Sequence, residues 1–136
     1  MGETSMIKTQ LTLYLNNRPG ELARATDAIT SAKVNIEALS IAATADVGLV
    51  QIIASNAARV RSALTKARIP FTEQKVAVLR LKDRPGELAK MARQLAKKMV
   101  NINCVYATAP PPGARGECSV VINADNLQQV EALQKK

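Results

Sequence analysis

Two stretches of this 136-residue chain are near copies of each other, and that repetition restricts its possible folds more than any other feature. NNRPGELARA fills positions 16–25 and KDRPGELAKM fills positions 82–91. Pro19 and Pro85 stand 66 positions apart, and the same offset relates Leu13 to Leu79, Leu15 to Leu81, Val34 to Val100 and Ile36 to Ile102. Further on the offset is 70, relating Val50 to Val120, Ile52 to Ile122, Asn56 to Asn126 and Val60 to Val130. Four residues have been inserted within TAPPPGARGE, where proline and glycine mark a loop. A period of this kind means one structural unit written twice.

Each copy reads in the same order. LTLYL alternates apolar and polar, as a half-buried strand does. From Pro19 the period turns helical, through Leu22, Ala25, Ile29 and Ala32, and in the second copy through Leu88, Met91, Leu95 and Met99. Proline suits the first helical position because it has no N–H to leave unpaired, and the Glu behind it suits the positive end of the helix dipole. VNIEALSIAAT and GLVQIIAS are strand-like, with ADVG between them as a hairpin. Asn56 then offers a cap to a helix bearing Ala57, Val60, Leu64 and Ala67, and PFTEQ runs on into KVAVLRL. The order is strand, helix, strand, strand, helix, strand. Right-handed connections make that an α+β, ferredoxin-like unit: an antiparallel sheet with both helices on one face. Two such units side by side span residues 6–75 and 76–136. The second stops at VEALQKK and lacks its final strand, which leaves an edge of VAVLRL for something else to cover, a second chain being the expected candidate.

Composition narrows the function. The chain is 47% hydrophobic but only 2% aromatic, so its core is aliphatic. No apolar run approaches the roughly 18 residues of a membrane span, and MGETSMIK lacks the apolar stretch of a signal peptide. Cys104 and Cys118 then read as free thiols of a cytoplasmic protein. The absence of histidine removes Ser-His and Cys-His nucleophile pairs and the usual zinc ligand sets. There is no C-x-x-C, G-x-G-x-x-G or P-loop, so neither catalysis nor a metal or cofactor is expected. The net charge of +8 keeps a nucleic-acid partner as an alternative. Its densest part, Lys90, Arg93, Lys97 and Lys98, is spaced as the solvated face of a helix, and Tyr14, Phe71 and Tyr106 form no stacking cluster for bases.

A βαββαβ unit with polar-x-Pro-Gly-x-Leu after strand one and Asn-Ile opening strand two resembles the ACT domain, a small regulatory module that binds amino acids in many enzymes of amino-acid metabolism. The resemblance covers nearly the whole chain as two copies. NIEALSIAAT in particular is similar to the regulatory subunit of acetolactate synthase. The tandem arrangement without a catalytic domain resembles stand-alone double-ACT proteins. The resemblance implies a non-catalytic amino-acid sensor that forms a homodimer, with a free amino acid as ligand. The alternative is the regulatory subunit of a biosynthetic enzyme such as acetolactate synthase. Against that alternative, the second repeat here is another ACT copy, where that family carries a different C-terminal domain.

The expected ligand site is the repeated turn. A helix N-terminus presents unpaired N–H groups and partial positive charge to a carboxylate, and glycine lets a ligand approach the backbone. The candidates are Asn17, Arg18, Pro19, Gly20, Glu21 and Leu22 with Asn35 and Ile36, and Asp83, Arg84, Pro85, Gly86, Glu87 and Leu88 with Asn101 and Ile102. Asn17 or Asp83, and Asn35 or Asn101, supply acceptors for an ammonium. Similarity to the ACT domains of phosphoglycerate dehydrogenase implies that two domains adjoin through strand two with the ligand at the seam. Asn17 then works with Asn101, and Asp83 with Asn35. Those domains also use a histidine near the turn, where this chain has Leu15 or Asn16. Asp83 is charged where Asn17 is neutral, so the two sites are expected to be unequal. A purely structural role for the turn, as a favourable strand-to-helix connection, is the competing interpretation.

Overall fold

The computed structural model describes residues 7–108, 113 and 115–134. Along the chain come β1 (Ile7–Asn16), α1 (Glu21–Ser31), β2 (Ile36–Ala43), β3 (Val47–Ala54), α2 (Ala57–Lys66), β4 (Phe71–Lys82), α3 (Glu87–Lys97), β5 (Ile102–Thr108), β6 (Glu117–Ala124) and α4 (Leu127–Gln134). The chain divides into two compact units, Thr9–Gln74 and Lys75–Lys136, and the second also takes in Ile7 and Lys8. Both are α+β, with antiparallel strands, as the periodicity predicts. The proline-rich insertion falls largely on residues 109–112 and 114, outside the described residues.

In the first unit β3 lies between β1 and β2, with Leu13 opposite Val50, Leu11 and Leu39 both opposite Ile52, and Ile41 opposite Val50. Alternation puts Leu11, Leu13 and Leu15 on one face, where they pack with Ala25 and Ile29 of α1 and Val60 and Leu64 of α2. The other face of β1 carries Gln10 and Thr12, which are buried and polar. They are satisfied by the start of β4: the Thr12 hydroxyl donates to Gln74 Oε1 at 2.8 Å, and the Gln10 amide donates to Thr12 Oγ1 at 3.3 Å. Asn56 caps α2 as expected, its Oδ1 accepting from the Arg59 N–H at 3.1 Å.

The second unit repeats the plan. Ala77 faces Ile122, Leu79 faces Val120 and Leu81 faces Cys118 across β4 and β6, while Val105 and Ala107 of β5 face Ile122 and Val120. Its core joins Leu79, Val120 and Ile122 to Met91 and Leu95 of α3 and Val130 of α4. Both units carry a register shift at the start of strand two, between Ile36 and Ala38 and between Ile102 and Cys104, so the repeat extends to irregularities.

Two expectations are corrected. The place of the missing last strand is taken by the residues that open β1, since Ile7 and Lys8 belong to the second unit and Ile7 packs against its core. A second chain is not needed to cover that edge. Met99, expected on the apolar face of α3, lies beyond the helix end at φ 59° and is 90% exposed. Its counterpart in the first repeat, Lys33, has the same φ. The helical period ran one turn too far because a left-handed residue follows each helix.

Ile7→Ala should therefore destabilise the chain by about 1–2 kcal/mol, less than the roughly 2–5 kcal/mol of a fully enclosed aliphatic side chain. Urea denaturation checks this, and an unchanged midpoint would mean that Ile7 leaves the edge uncovered.

Candidate functional site

The repeated hexapeptide builds a type II turn. The Glu21 N–H donates to the Arg18 carbonyl and the Glu87 N–H to the Arg84 carbonyl, both at 3.4 Å. Gly20 sits at φ 90°, ψ −15° and Gly86 at φ 89°, ψ −11°, the third-residue geometry of that turn, with proline before each. Nothing lies within 4 Å of where a Cβ would stand on either glycine, so the backbone angle alone calls for glycine. Pro19 and Pro85 therefore belong to the turn, and glycine occupies the cap position in place of the proline-led helix start expected from the sequence. No side chain caps α1 or α3 at this end. The early N–H groups, such as those of Leu88 and Ala89, have no partner within the helix.

A second tie holds each turn against the hairpin of its own repeat. The Asn17 N–H donates to the Asp46 carbonyl at 2.9 Å, and the Asp83 N–H to the Gly116 carbonyl at 2.8 Å. Beyond that the repeats differ. The Asn17 side-chain amide donates to the carbonyls of Thr44 at 3.0 Å and Ala45 at 3.4 Å, so it is used in closing the hairpin. Asp83 cannot donate, and its carboxylate makes no hydrogen bond or ion pair among the described residues.

Glu21 and Glu87 are held below the usual carboxylate range by neighbouring guanidinium groups, chiefly through hydrogen bonds from Arg24 and Arg84 respectively. The partners are not equivalent. Arg24 lies one turn into α1 and meets Glu21 at 3.1 Å, whereas Arg84 is in the turn itself and meets Glu87 at 2.8 Å. Because each folded pKa is lowered, this stabilisation is present above the ordinary glutamate pKa and is lost as pH falls through the folded value.

In the second unit the turn opens on a cavity of about 300 Å³. Leu81, Leu88, Val105, Ala107 and Val120 give it apolar walls, and Lys82, Asp83, Arg84 and Glu87 stand among its lining. Tyr106 and Cys118 also contribute; burial pushes the Tyr106 phenol well above its ordinary range, so it stays neutral. A larger and more open hollow of about 630 Å³ lies between α1 and α2, lined by small side chains such as Ala28, Ala32 and Ala63 with Arg59 and Lys66. Ser31, Asn56 and Ser62 also line it, and it contains none of the turn residues.

Residues 17–22 and 83–88 are thus each gathered at one turn, but Asn35, Ile36, Asn101 and Ile102 are not beside the turn of their own repeat. Ile36 pairs with Ala54 and Ile102 with Ala124, at one end of the third strand, while Leu15 pairs with Gly48 and Leu81 with Cys118, at the other. About seven residues of strand separate these ends, on the order of 20 Å. The Asn101 amide instead donates to Asn103 Oδ1 at 3.0 Å, within a cluster that includes Asn123 and Asp125. The strand-two residues that do reach the turn are Val105 and Ala107, whose place near it follows from hairpin register and not from any local motif. Among the described residues, no group of three His, Cys, Asp or Glu side chains is placed to hold a metal, and no helix is long and apolar enough to cross a membrane.

Gly86→Ala should cost about 1–2 kcal/mol through its backbone angle alone, measured by chemical denaturation. In Arg84→Ala the Glu87 carboxyl should titrate at a higher pH than in the parent protein, followed by carbon NMR of the side chain. An unmoved Glu87 titration would show that the ion pair does not persist in solution.

The family model of the ACT domain pair matches residues 6–133. No protein among the curated sequences matches the chain. Among solved structures, a protein from Bacteroides thetaiotaomicron superimposes with a TM-score of 0.86 at 27% identity, over 96% of this chain and 88% of that one. The ligand-free regulatory subunit of aspartate kinase from Thermus thermophilus gives 0.69 at 17% identity, over 99% and 97%. Its counterpart from Thermus flavus gives 0.64 at 16%, over 97% and 92%. The last two share the fold; the family match spans almost every residue, and this chain belongs to the ACT domain pair family.

Proposed function

We propose that the chain is a non-catalytic regulatory module that binds a free amino acid at the turn between the first strand and first helix of a repeat. The observation that carries this reading is the second turn. It combines an uncapped helix start, an unpartnered carboxylate at Asp83 and an adjoining apolar cavity. Its volume lies at the lower end of the roughly 300–1,000 Å³ usual for ligand sites, which suits a molecule of amino-acid size. Glu87 is tied to Arg84 at 2.8 Å and the walls are apolar, which favours holding a ligand.

A module of this kind acts on something else. The regulatory subunit of aspartate kinase has this fold as a separate chain, which supports a role in controlling a biosynthetic enzyme. The edges of β2 and β5 bear on assembly. Among the described residues β2 pairs with β3 alone and β5 with β6 alone, and Leu39, Ile41 and Val105 on them are exposed. Pairing of such an edge with a second copy is the arrangement that would bring Asn35 or Asn101 beside a turn, and a homodimer is proposed on that ground.

A thermal-shift screen of the full chain against the proteinogenic amino acids tests the reading. A ligand at 100 times its dissociation constant stabilises by about 2.7 kcal/mol, and at least one amino acid is expected to raise Tm clearly. If none does at millimolar concentration, amino-acid binding is not the function.

A further inference from the structure

The two turns share a backbone, and they differ in the side chains placed around it. Resting on the amino-acid-binding reading above, we propose that the second repeat alone holds the ligand site and that it takes a zwitterionic amino acid with an aliphatic side chain. The first repeat keeps the turn as a structural joint.

Charge supports the zwitterion. Asp83 lines the second cavity, and its carboxylate has no hydrogen bond or ion pair among the described residues. Arg84 and Glu87 neutralise each other at 2.8 Å. The mouth thus presents an unpartnered carboxylate at Asp83 beside the uncapped N–H groups that open α3, complementary to the ammonium and the carboxylate of a free amino acid. At the positions of Lys82 and Asp83 the first repeat has Asn16 and Asn17, both uncharged, and the Asn17 amide is already bound to Thr44 and Ala45.

Shape separates the repeats in the same direction. Val105 and Ala107 face Ile122 and Val120 on β6, while Leu39 and Ile41 face Ile52 and Val50 on β3. These are the same positions of the repeat, on the face that carries the helices. The first repeat fills them with bulkier side chains, and the second leaves room between Leu88 and the strand. That room is bounded by Leu81, Leu88, Val105, Ala107 and Val120. These five side chains are all apolar, and Leu88 and Val105 are exposed, so an aliphatic ligand side chain placed there buries apolar surface on both partners.

Titration calorimetry of the full chain tests this, with leucine, isoleucine, valine and methionine set against lysine, threonine, serine and aspartate. The deaminated acid 4-methylpentanoate and the decarboxylated amine 3-methylbutylamine serve as controls. An aliphatic amino acid is expected to bind with a stoichiometry of one per chain, and both controls should fail. Asp83→Asn and Ala107→Ile, which install the first repeat's residues, should each weaken binding by about tenfold or more, equivalent to about 1.4 kcal/mol. Ile41→Ala should leave it unchanged, with circular dichroism confirming that each variant is folded. Two equal sites per chain, loss of binding in Ile41→Ala but not in Ala107→Ile, or binding confined to polar amino acids would overturn this inference while leaving amino-acid binding itself intact. Binding of none of these amino acids would overturn both.

Discussion

A left-handed glycine after a proline decides how each repeat of this chain is assembled. With φ near +90° at Gly20 and Gly86, the chain leaves its first strand, reverses in a single type II turn and enters a helix whose apolar side faces the sheet. The hydrogen bonds from the Asn17 and Asp83 N–H groups fasten that turn to the neighbouring hairpin. Helix start, strand end and hairpin therefore meet at one place in each unit. The same geometry leaves the first N–H groups of the helix without a capping side chain, and in this way a device for changing direction is also a place where a polar ligand can be held.

Duplication preserved the backbone and released the side chains. The register shift at the start of strand two, the paired leucines on the first strand and the ion pair at the helix start are all present twice, with Arg24 serving Glu21 and Arg84 serving Glu87. Around the turns the copies diverge: Asn16 and Asn17 against Lys82 and Asp83, Leu39 and Ile41 against Val105 and Ala107. At the first turn the Asn17 amide is already bound to the carbonyls of its own hairpin. The second turn, charged and beside a cavity, carries unpaired groups that a ligand can satisfy.

The order of elements was legible because strands and helices write different periods into Leu11 to Leu15 and Leu22 to Ile29, and because each pattern occurs twice. Three things were not legible, all for reasons of distance along the chain. Ile7 serves the unit formed mainly by residues from Lys75 onward, and no local pattern announces so remote a packing partner. Asn35 and Asn101 lie at the far end of β3 or β6 from the turn of their own repeat, so any part they take in a site depends on a neighbouring domain, which no local spacing specifies. Val105 and Ala107 looked like ordinary strand residues, and only the register of β5 against β6 brings them to the turn. The end of α3 is hidden for a local reason: Met99 continues the apolar period but adopts a left-handed angle that ends it.

The central claim is that one amino-acid site exists and lies at the second turn, and amide chemical-shift mapping during a leucine titration tests it most directly. Every turn amide is reported at once, and both repeats are read in the same sample. The expected result is saturable movement of the Lys82, Asp83, Leu88, Val105 and Ala107 amides, with Asn16, Asn17, Leu22, Leu39 and Ile41 still. Saturable movement centred on the first set of turn residues, or confined to the hollow between α1 and α2, would contradict it.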